Sequence, residues 1–535
     1  MSNLHIFGDN NQKYLYFFLI FCILFGIFFR FYDLGSAFMF RDEPITFIGG
    51  IKLHYDNPYD GRLWNYEHPA VAKWFIGLPT RFIATDYNEI LQIPTNMYVW
   101  LYVGYEALSK TYVAMRLLTA LFGVLSLALI FLITRELYGT KAGLWSTVIA
   151  ALSFDLILYS RITFYETYLI TFFLSSIFLY IKYLKTRESG KRILYMALTF
   201  VFVTLTIGTR SFNPLFIIPI LLLSQFIINR RRMKENLLFI VLLIVSLRIV
   251  FFHIYPPEIR DIAQAAHGIT SLGSIMGFSL IQEIMIIFSR NSYLFIASIL
   301  ITIYSVLRVT RNNEGEPRRT ISLTWIKESI KNPKPVLIIS IAFWIIFLGF
   351  GFSRYGTDAR YLIILFLPLF IMAGKPMIKM AKNKMILSIL IILIIVNMYG
   401  IVAAFPYFGD YSNFGDPLWN RFVGTHEHQG AVRNAMKYLE SQGNPSVVTS
   451  EPNILIFYPG DADSIPIPNG KRCNPSYIEK LKKAEPYVVY NTISPDNSNI
   501  ENDMYTCPAF RSLPMTLIES FEPDNSVRLY KITNQ

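Results

Sequence analysis

The chain has 535 residues, of which 53% are hydrophobic, 16% are aromatic and only 16% are charged. This composition excludes an ordinary soluble protein and predicts a polytopic α-helical membrane protein. The net charge of +12 is compatible with nucleic-acid binding, but membrane proteins concentrate Lys and Arg in cytoplasmic loops, so we interpret the charge as a topology signal and expect no nucleic-acid partner. Three cysteines exclude a disulfide framework or a cysteine-rich zinc module.

The first apolar run covers residues 14–32 and leads directly into a polar loop. The run has no small-residue cleavage site, so it predicts a retained span rather than a cleaved signal. The loop carries Arg41, Asp42 and Glu43 near its start, and it also carries His68 and Lys73. Adjacent carboxylates can act as a base or as ligands, and the other side chains suit an anionic substrate. The alternative is a solvated loop, to which any one of these charges could belong.

The outer loop, residues 33–112, is predicted to contain interfacial helices. Val71–Arg81 has the pattern of an amphipathic helix at the membrane surface, with Lys73 and Arg81 on its edges. The aromatic segment 86–112 continues along the interface. Asp42 and Glu43 are expected in extended backbone, where successive side chains point to opposite sides.

Apolar runs long enough to cross a membrane recur along the chain. We count eleven, at 14–32, 114–134, 143–160, 165–182, 193–210, 212–228, 236–254, 285–307, 335–352, 360–374 and 385–405. The basic loops then share one side, namely 135–141, 182–192, 229–232, 308–334 and 375–384. By the positive-inside rule this side is cytoplasmic, and loop 33–112 and the tail lie outside. We therefore predict a transmembrane domain at 1–405 and an extracytoplasmic domain at 406–535.

Several charged residues are predicted at the outer ends of these spans or, for Arg248, inside the outer half of the seventh span, and Arg161 and Glu166 are expected to face the same water layer as Asp42. Arg is suited to holding a phosphate through two parallel hydrogen bonds, so a cluster opposite two carboxylates favours a phosphate site. The alternative for each arginine alone is snorkelling to the interface. The candidate residues are Arg161, Glu166, Arg210, Arg248, Arg354 and Arg360.

The tail is polar and predicts a small α/β domain. We expect helices at 431–442 and 476–484, strands at 446–449 and 487–491, and a hairpin formed by 517–521 and 527–532. An extracytoplasmic location would allow Cys473 and Cys507 to form a disulfide; the alternative is two free thiols.

Several motifs resemble the protein O-mannosyltransferase family when they are taken in order. They are Arg41-Asp42-Glu43, His68-Pro69 with Lys73, Arg116 to Gly123, Leu137-Tyr138-Gly139, and Ser160-Arg161-Ile162 with Glu166. This family is one of the GT-C membrane glycosyltransferases, as are the bacterial aminoarabinose transferases of lipid A. The sequence departs from the family pattern at Ala70, where a second Pro is usual, and at Glu166, where Asp is common. Loop 255–283 shows no extended acceptor-binding module.

The resemblance implies an inverting transfer of a sugar, such as mannose, from a polyprenyl-phosphate or dolichyl-phosphate donor. The acceptor hydroxyl would belong to protein Ser/Thr, a lipid or a glycan on the extracytoplasmic face. By position, Asp42 would be the general base, Glu43 its partner in the Asp-Glu pair, and Arg161 a phosphate-side residue. The remaining candidates would bind substrate.

A divalent metal is possible in such enzymes but is not favoured here. The arginines can stabilise the phosphate, and Asp42 with Glu43 alone makes a poor cage for a metal. His426-Glu427-His428 could place two imidazoles on one face of a strand, but it lacks further zinc ligands. We therefore expect no metal cofactor. The alternatives to an enzyme are a transporter, whose ionisable residues would lie near the midplane, and a non-catalytic scaffold.

Overall fold

The computed structural model describes residues 9–32, 34, 43–55, 70–83, 87, 109–209, 217–228, 233–254, 345, 359–404, 427–449, 462–464, 473–491, 507–521 and 527–533. The chain divides into two compact units. The first unit comprises Met1–Tyr32, Tyr66–Phe75 and Leu117–Ala403. The second unit comprises Asp33–Asn65, Ile76–Arg116 and Ala404–Gln535.

Helices form the described part of the first unit, and two of them, α3 and α4, continue into the second unit. They are α1 (Asp9–Phe31), α3 (Ala70–Gly77), α4 (Ser109–Tyr138), α5 (Thr140–Ala151), α6 (Phe154–Arg161), α7 (Tyr165–Lys185), α8 (Ser189–Ile207), α9 (Ile217–Ile228), α10 (Met233–Ile249), α11 (Ala359–Met380) and α12 (Lys384–Ala404); α2 (Glu43–Tyr55) belongs to the second unit. A π-helical turn, Val250–Ile254, extends α10.

Among the described residues, four helices are long and apolar enough to cross a membrane: Lys13–Phe31, Lys110–Tyr138, Tyr165–Lys185 and Ser189–Ile207. The pair α5 and α6 makes a fifth if it is one span, and two shorter apolar helices are Ile217–Ile227 and Lys384–Tyr399. The predicted spans at 285–307 and 335–352 lie outside the described residues, so the total of eleven stays a prediction.

The predicted continuous span at 143–160 is wrong in one respect. Helix α5 ends at Ala151, α6 begins at Phe154, and the two axes are bent by 64°. The bend arises because Ser153 adopts extended backbone, with φ −68° and ψ 121°, which interrupts the helical hydrogen bonds. Sequence hydropathy does not detect this bend, because both halves are apolar.

Helices α4 and α7 pack through a mixture of polar and aromatic contacts. Ser126 Oγ lies 2.7 Å from Thr171 Oγ1, and Thr119 Oγ1 lies 3.1 Å from the Tyr168 hydroxyl. Each hydroxyl therefore has a partner inside an otherwise apolar interface. The Phe122 ring contacts the Tyr168 ring with a centroid separation of 4.6 Å.

The tail forms a five-stranded mixed sheet in the second unit. Its strands are β1 (Val447–Thr449), β2 (Ala462–Ser464), β3 (Tyr487–Asn491), β4 (Met515–Phe521) and β5 (Val527–Ile532), in the order β2-β1-β3-β5-β4. Strand β1 pairs in parallel with β2 and β3, whereas β5 pairs antiparallel with β3 and β4. The predicted hairpin and both predicted strands are confirmed; β2 was not predicted.

Helices cover both faces of this sheet. Helix α13 (Glu427–Ser441) packs on one face through a cluster that includes Leu439 and Leu529. Helices α14 (Pro475–Ala484) and α15 (Pro508–Arg511) cover the other face with a cluster that includes Leu481. The predicted disulfide between Cys473 and Cys507 is confirmed, with a Cα–Cα distance of 5.7 Å. It joins the segments that precede α14 and α15.

Candidate functional site

The described part of the acidic motif begins at Glu43, because Asp42 and Arg41 lie outside the described residues. Glu43 is the first residue of α2 and its side chain is fully buried. Arg116 reaches it from the second turn of α4, with Nε donating to Oε1 and Nη2 donating to Oε2, both at 2.9 Å. One guanidinium therefore holds both carboxylate oxygens in a two-bond geometry.

Further contacts fix Arg116 on its other sides. Its Nη1 donates to the carbonyl oxygen of Leu34 at 2.8 Å, and its guanidinium lies 4.3 Å from the centre of the Tyr112 ring. The Tyr112 ring in turn makes an edge contact with Phe47 on α2. The expectation of extended backbone at Glu43 is wrong, because the residue starts a helix. Glu43 holds α2 against the start of α4.

Helix α2 also packs on the 3-10 turn Leu78–Phe82. A Cβ at Gly77 would collide with the carbonyl group of Gly50, so glycine allows this close approach. The Tyr55 hydroxyl donates to the Thr80 carbonyl oxygen at 2.5 Å, and Arg81 donates to the carbonyl oxygen of His54. These bonds hold the carboxyl end of α2, opposite the end that carries Glu43.

Lys73 lies on α3 and is fully buried, so its predicted place on the edge of a surface helix is wrong. The helix is held in the first unit by a hydrogen bond of 3.2 Å from Val71 N to the Gly208 carbonyl oxygen. Phe75 then packs against the aromatic rings of α4 and α7, including Phe122 at 5.4 Å. Burial lowers the pKa of Lys73 to about 7. Burial therefore disfavours the charged form of this side chain.

The exposed side of α3 and of the turn that follows it carries aromatic residues. Trp74 is 46% exposed, and Phe82 at the end of the following 3-10 turn is 82% exposed. Exposed aromatic residues suit the interface of a membrane. The segment therefore combines a buried cation with aromatic residues on its outside.

Arg161 and Glu166 are both buried in the first unit, at the end of α6 and the start of α7. Arg161 Nη1 donates to the carbonyl oxygens of Phe29 at 2.6 Å and of Tyr32 at 2.5 Å. Glu166 lies in the first turn of α7, where the helix dipole favours a carboxylate. The neighbouring Ser160 packs so tightly on α4 that a Cβ at Gly123 would collide with it.

The elements that carry Lys73 and Glu166 touch each other. Phe75, two residues after Lys73, stacks on Tyr168, two residues after Glu166, with ring centroids 6.2 Å apart. Helix α3 therefore packs on the amino-terminal part of α7. Such packing is needed if Lys73 and Glu166 are to belong to one site.

The other candidates are less informative. Arg248 lies in the last turn of α10 and is exposed, in contrast to the buried Arg161. Arg360 lies in α11, but its side chain is not described. The candidates outside the described residues are Arg41, Asp42, His68, Arg210 and Arg354.

The structure also bears on metal binding. Glu427 and His428 belong to the first turn of α13, so the expectation that this motif lies on a strand is wrong. Within the described ranges, no group of three or more His, Cys, Asp or Glu side chains could hold a metal ion.

Sequence analysis missed two buried arginines, Arg116 and Arg30. Arg116 belongs to the motif that runs from Arg116 to Gly123 but is not among the candidate site residues. Arg30 ends the first apolar run, and both side chains are fully buried. The signal that could have found them is the presence of a cation within or beside an apolar run, the criterion that selected Arg161.

Residues 66–256 match the family model described as dolichyl-phosphate-mannose-protein mannosyltransferase. The fold is similar to that of ArnT from Cupriavidus metallidurans in the apo state, with a TM-score of 0.55, 13% sequence identity and coverage of 98% of each chain. ArnT bound to undecaprenyl phosphate also gives a TM-score of 0.55 at 13% identity, covering 96% of this chain and 98% of that chain. No curated protein sequence matches the chain significantly.

The predicted resemblance to the GT-C glycosyltransferases is confirmed. The matched residues include Lys73, Arg116, Arg161 and Glu166, and they begin after the acidic motif of the outer loop. The likeness in fold to ArnT extends over 98% of the chain, including the tail. Together with the apolar helices, this fold makes the chain a multi-pass membrane protein.

Proposed function

We propose that the protein is an inverting glycosyltransferase that uses a sugar donor linked through phosphate to a polyprenol or dolichol. The family match over residues 66–256 carries this proposal, since it includes the buried cationic residues that a lipid phosphate would need. The sugar is proposed to be a hexose such as mannose. The acceptor is proposed to be a hydroxyl of protein Ser or Thr.

In the proposed reaction, the acceptor oxygen attacks the anomeric carbon from the face opposite the phosphate. The new carbon–oxygen bond forms as the bond to the phosphate oxygen breaks, so the configuration inverts. The acceptor proton passes to a carboxylate, and the lipid phosphate leaves with the bond electrons. A phosphate is already a weak base, so it needs cationic stabilisation rather than protonation. Lys73 and Arg161 are the proposed sources of positive charge.

Asp42 is the proposed general base. The structure supports this choice over Glu43, because both oxygens of Glu43 already accept hydrogen bonds from Arg116. Glu43 is instead proposed to hold the start of α2, and thereby the residue directly before it.

The decisive assay incubates the purified full-length protein with labelled polyprenyl-phosphate sugars, an acceptor peptide and a lipid extract. Label in the peptide supports the protein acceptor, whereas label in the lipid alone would move the acceptor to a lipid or glycan. No transfer from any donor would overturn the glycosyltransferase proposal.

The role of Asp42 is tested with Asp42→Asn, which keeps the size of the side chain but cannot take a proton. We expect single-turnover transfer to fall by about 10²–10⁴-fold while donor binding persists. Glu43→Gln is the comparison variant, in which we expect a smaller loss of transfer because it disturbs only the position of α2. Loss of transfer in Glu43→Gln alone, with a near-normal Asp42→Asn, would reverse the assignment.

The active face is proposed to be extracytoplasmic, since the basic loops share the other side. A membrane-impermeant thiol reagent should label a cysteine introduced at Asn469 in intact cells. A cysteine at Asn313 should react only after permeabilisation. The opposite pattern would place the proposed site on the cytoplasmic side.

A further inference from the structure

The break between α5 and α6 leaves backbone carbonyl groups inside an apolar bundle without helical partners. Two side chains from other helices satisfy them. Arg30 Nη1 on α1 donates to the Ala151 carbonyl oxygen at 3.0 Å, and Asn397 Nδ2 on α12 donates to the Leu152 carbonyl oxygen at 2.8 Å. In a bilayer, a broken helix persists only where neighbouring groups make such bonds. The break is therefore specified by side chains outside it.

Burying the charged side chain of Arg30 to bond a carbonyl group costs free energy. The side chain is fully buried, and its other bonds also go to carbonyl oxygens, from Nη1 to Gly26 at 2.6 Å and from Nη2 to Ala150 at 3.4 Å. In the part of the chain that the structure describes, no carboxylate forms an ion pair with it. A buried cation compensated only by dipoles costs more than an apolar side chain of similar size.

The approach of α1 to the break is also built into the backbone. A Cβ at Gly26 would collide with the Ala151 carbonyl group, so only glycine allows this separation. Gly26 and Arg30 lie one helical turn apart on the same face of α1. Both residues therefore serve the same contact with the end of α5.

Arg161 makes the same kind of contact in the opposite direction. It lies at the end of α6 and donates to the Phe29 and Tyr32 carbonyl oxygens at the end of α1. Arg30 thus caps α5 from α1, while Arg161 caps α1 from α6. A cation near the carboxyl end of a helix also interacts favourably with the helix dipole. We call this arrangement the reciprocal arginine clamp.

We infer that Arg30 is a positioning residue for glycosyl transfer, acting through the reciprocal arginine clamp on α6 and Arg161. This inference rests on the proposed function, because Arg161 is a proposed phosphate-side residue. The clamp ties the end of α1 to the end of α5 through Arg30 and to the end of α6 through Arg161. A positioning error of about 1 Å can reduce a rate about 10²-fold.

The test compares Arg30→Met with Arg30→Lys. Arg30→Met removes the charge but keeps most of the side-chain length, whereas Arg30→Lys keeps the charge but lacks the branched guanidinium group. Arg135→Met is the control, since Arg135 is 43% exposed and its carboxylate partner is 3.9 Å away. We expect Arg30→Met to lower kcat about 30–100-fold with the donor KM within about threefold, and Arg30→Lys to lower kcat about 10-fold. Arg135→Met should change neither.

Backbone hydrogen exchange of the full-length protein provides a readout that does not need activity. We expect Arg30→Met to increase exchange at residues 29–34 and 152–163 while the amides of α8 keep the wild-type rate. A normal kcat in both Arg30 variants, or exchange that rises equally in all helices, would overturn the inference. If wild type transfers no sugar but exchange rises only at these two segments, the proposed function fails and the clamp stands. If Arg30→Met does not fold, the inference is tested with Arg30→Lys instead. A kcat of Arg30→Lys within threefold of the wild-type kcat would overturn the inference.

Discussion

Removing Arg116 should destabilise the protein more than removing its carboxylate partner. In Arg116→Met, Glu43 keeps its place in a buried helix start but loses two charged hydrogen bonds of 2.9 Å. Bonds of this kind contribute about 1.5–3 kcal/mol each, which agrees with the cost of about 3–5 kcal/mol for breaking a buried ion pair. In Glu43→Gln, Arg116 still donates to the Leu34 carbonyl oxygen and lies over the Tyr112 ring, so the loss should be smaller.

The assay is an unfolding titration of the purified protein in detergent micelles, applied to both single variants and to the double variant. We expect the free energy of unfolding of Arg116→Met to fall by about 3–5 kcal/mol. The double variant should be more stable than the sum of the two single losses predicts, by about 0.5–3 kcal/mol, because neither charge is then buried without the other. If the losses in unfolding free energy are strictly additive, or if Arg116→Met has the wild-type unfolding free energy, the pair of Arg116 and Glu43 does not hold α2.

Three further predictions concern other parts of the chain. Burial lowers the pKa of Lys73 to about 7, and only the protonated form of this side chain attracts a phosphate, so kcat/KM for the donor should decrease as the pH rises through 7. Lys73→Arg should flatten this pH profile, because the guanidinium stays charged. If Lys73→Arg shows the same decrease, Lys73 is not its cause. Gly123→Ala should lower stability by about 1–3 kcal/mol because its Cβ collides with α6, whereas thermal unfolding of Gly190→Ala, whose Cβ meets nothing within 4 Å, should show no such loss. Cys473→Ser opens a disulfide of sequence separation 34 and should reduce the stability of the tail by about 3–4 kcal/mol, as measured by its rate of limited proteolysis; an unchanged rate would contradict this.

The sequence by itself determined the class of protein and most of the regular structure. Composition and apolar run length predict a multi-pass membrane protein, because a helix that crosses a bilayer needs about 20 consecutive, mostly apolar residues. Alternation and turn residues predicted the hairpin of β4 and β5, since pairing of adjacent strands depends on local sequence. An extracytoplasmic location allowed Cys473 and Cys507 to pair, and the structure decided between a disulfide and two free thiols. The ordered motifs predicted the family resemblance.

Only the tertiary structure decided which charges meet. Glu43 and Arg116 are separated by 73 residues, and Arg30 and Ala151 by 121, so no local pattern reports either contact. The 64° bend was equally hidden, because apolar content predicts that a segment is buried but not that its helix is continuous. Lys73 was expected on a surface and is fully buried, since hydrophobic periodicity shows the apolar face of a helix but not what covers the other face. Burial of a charge depends on partners contributed by distant helices, and these become neighbours only when the chain folds.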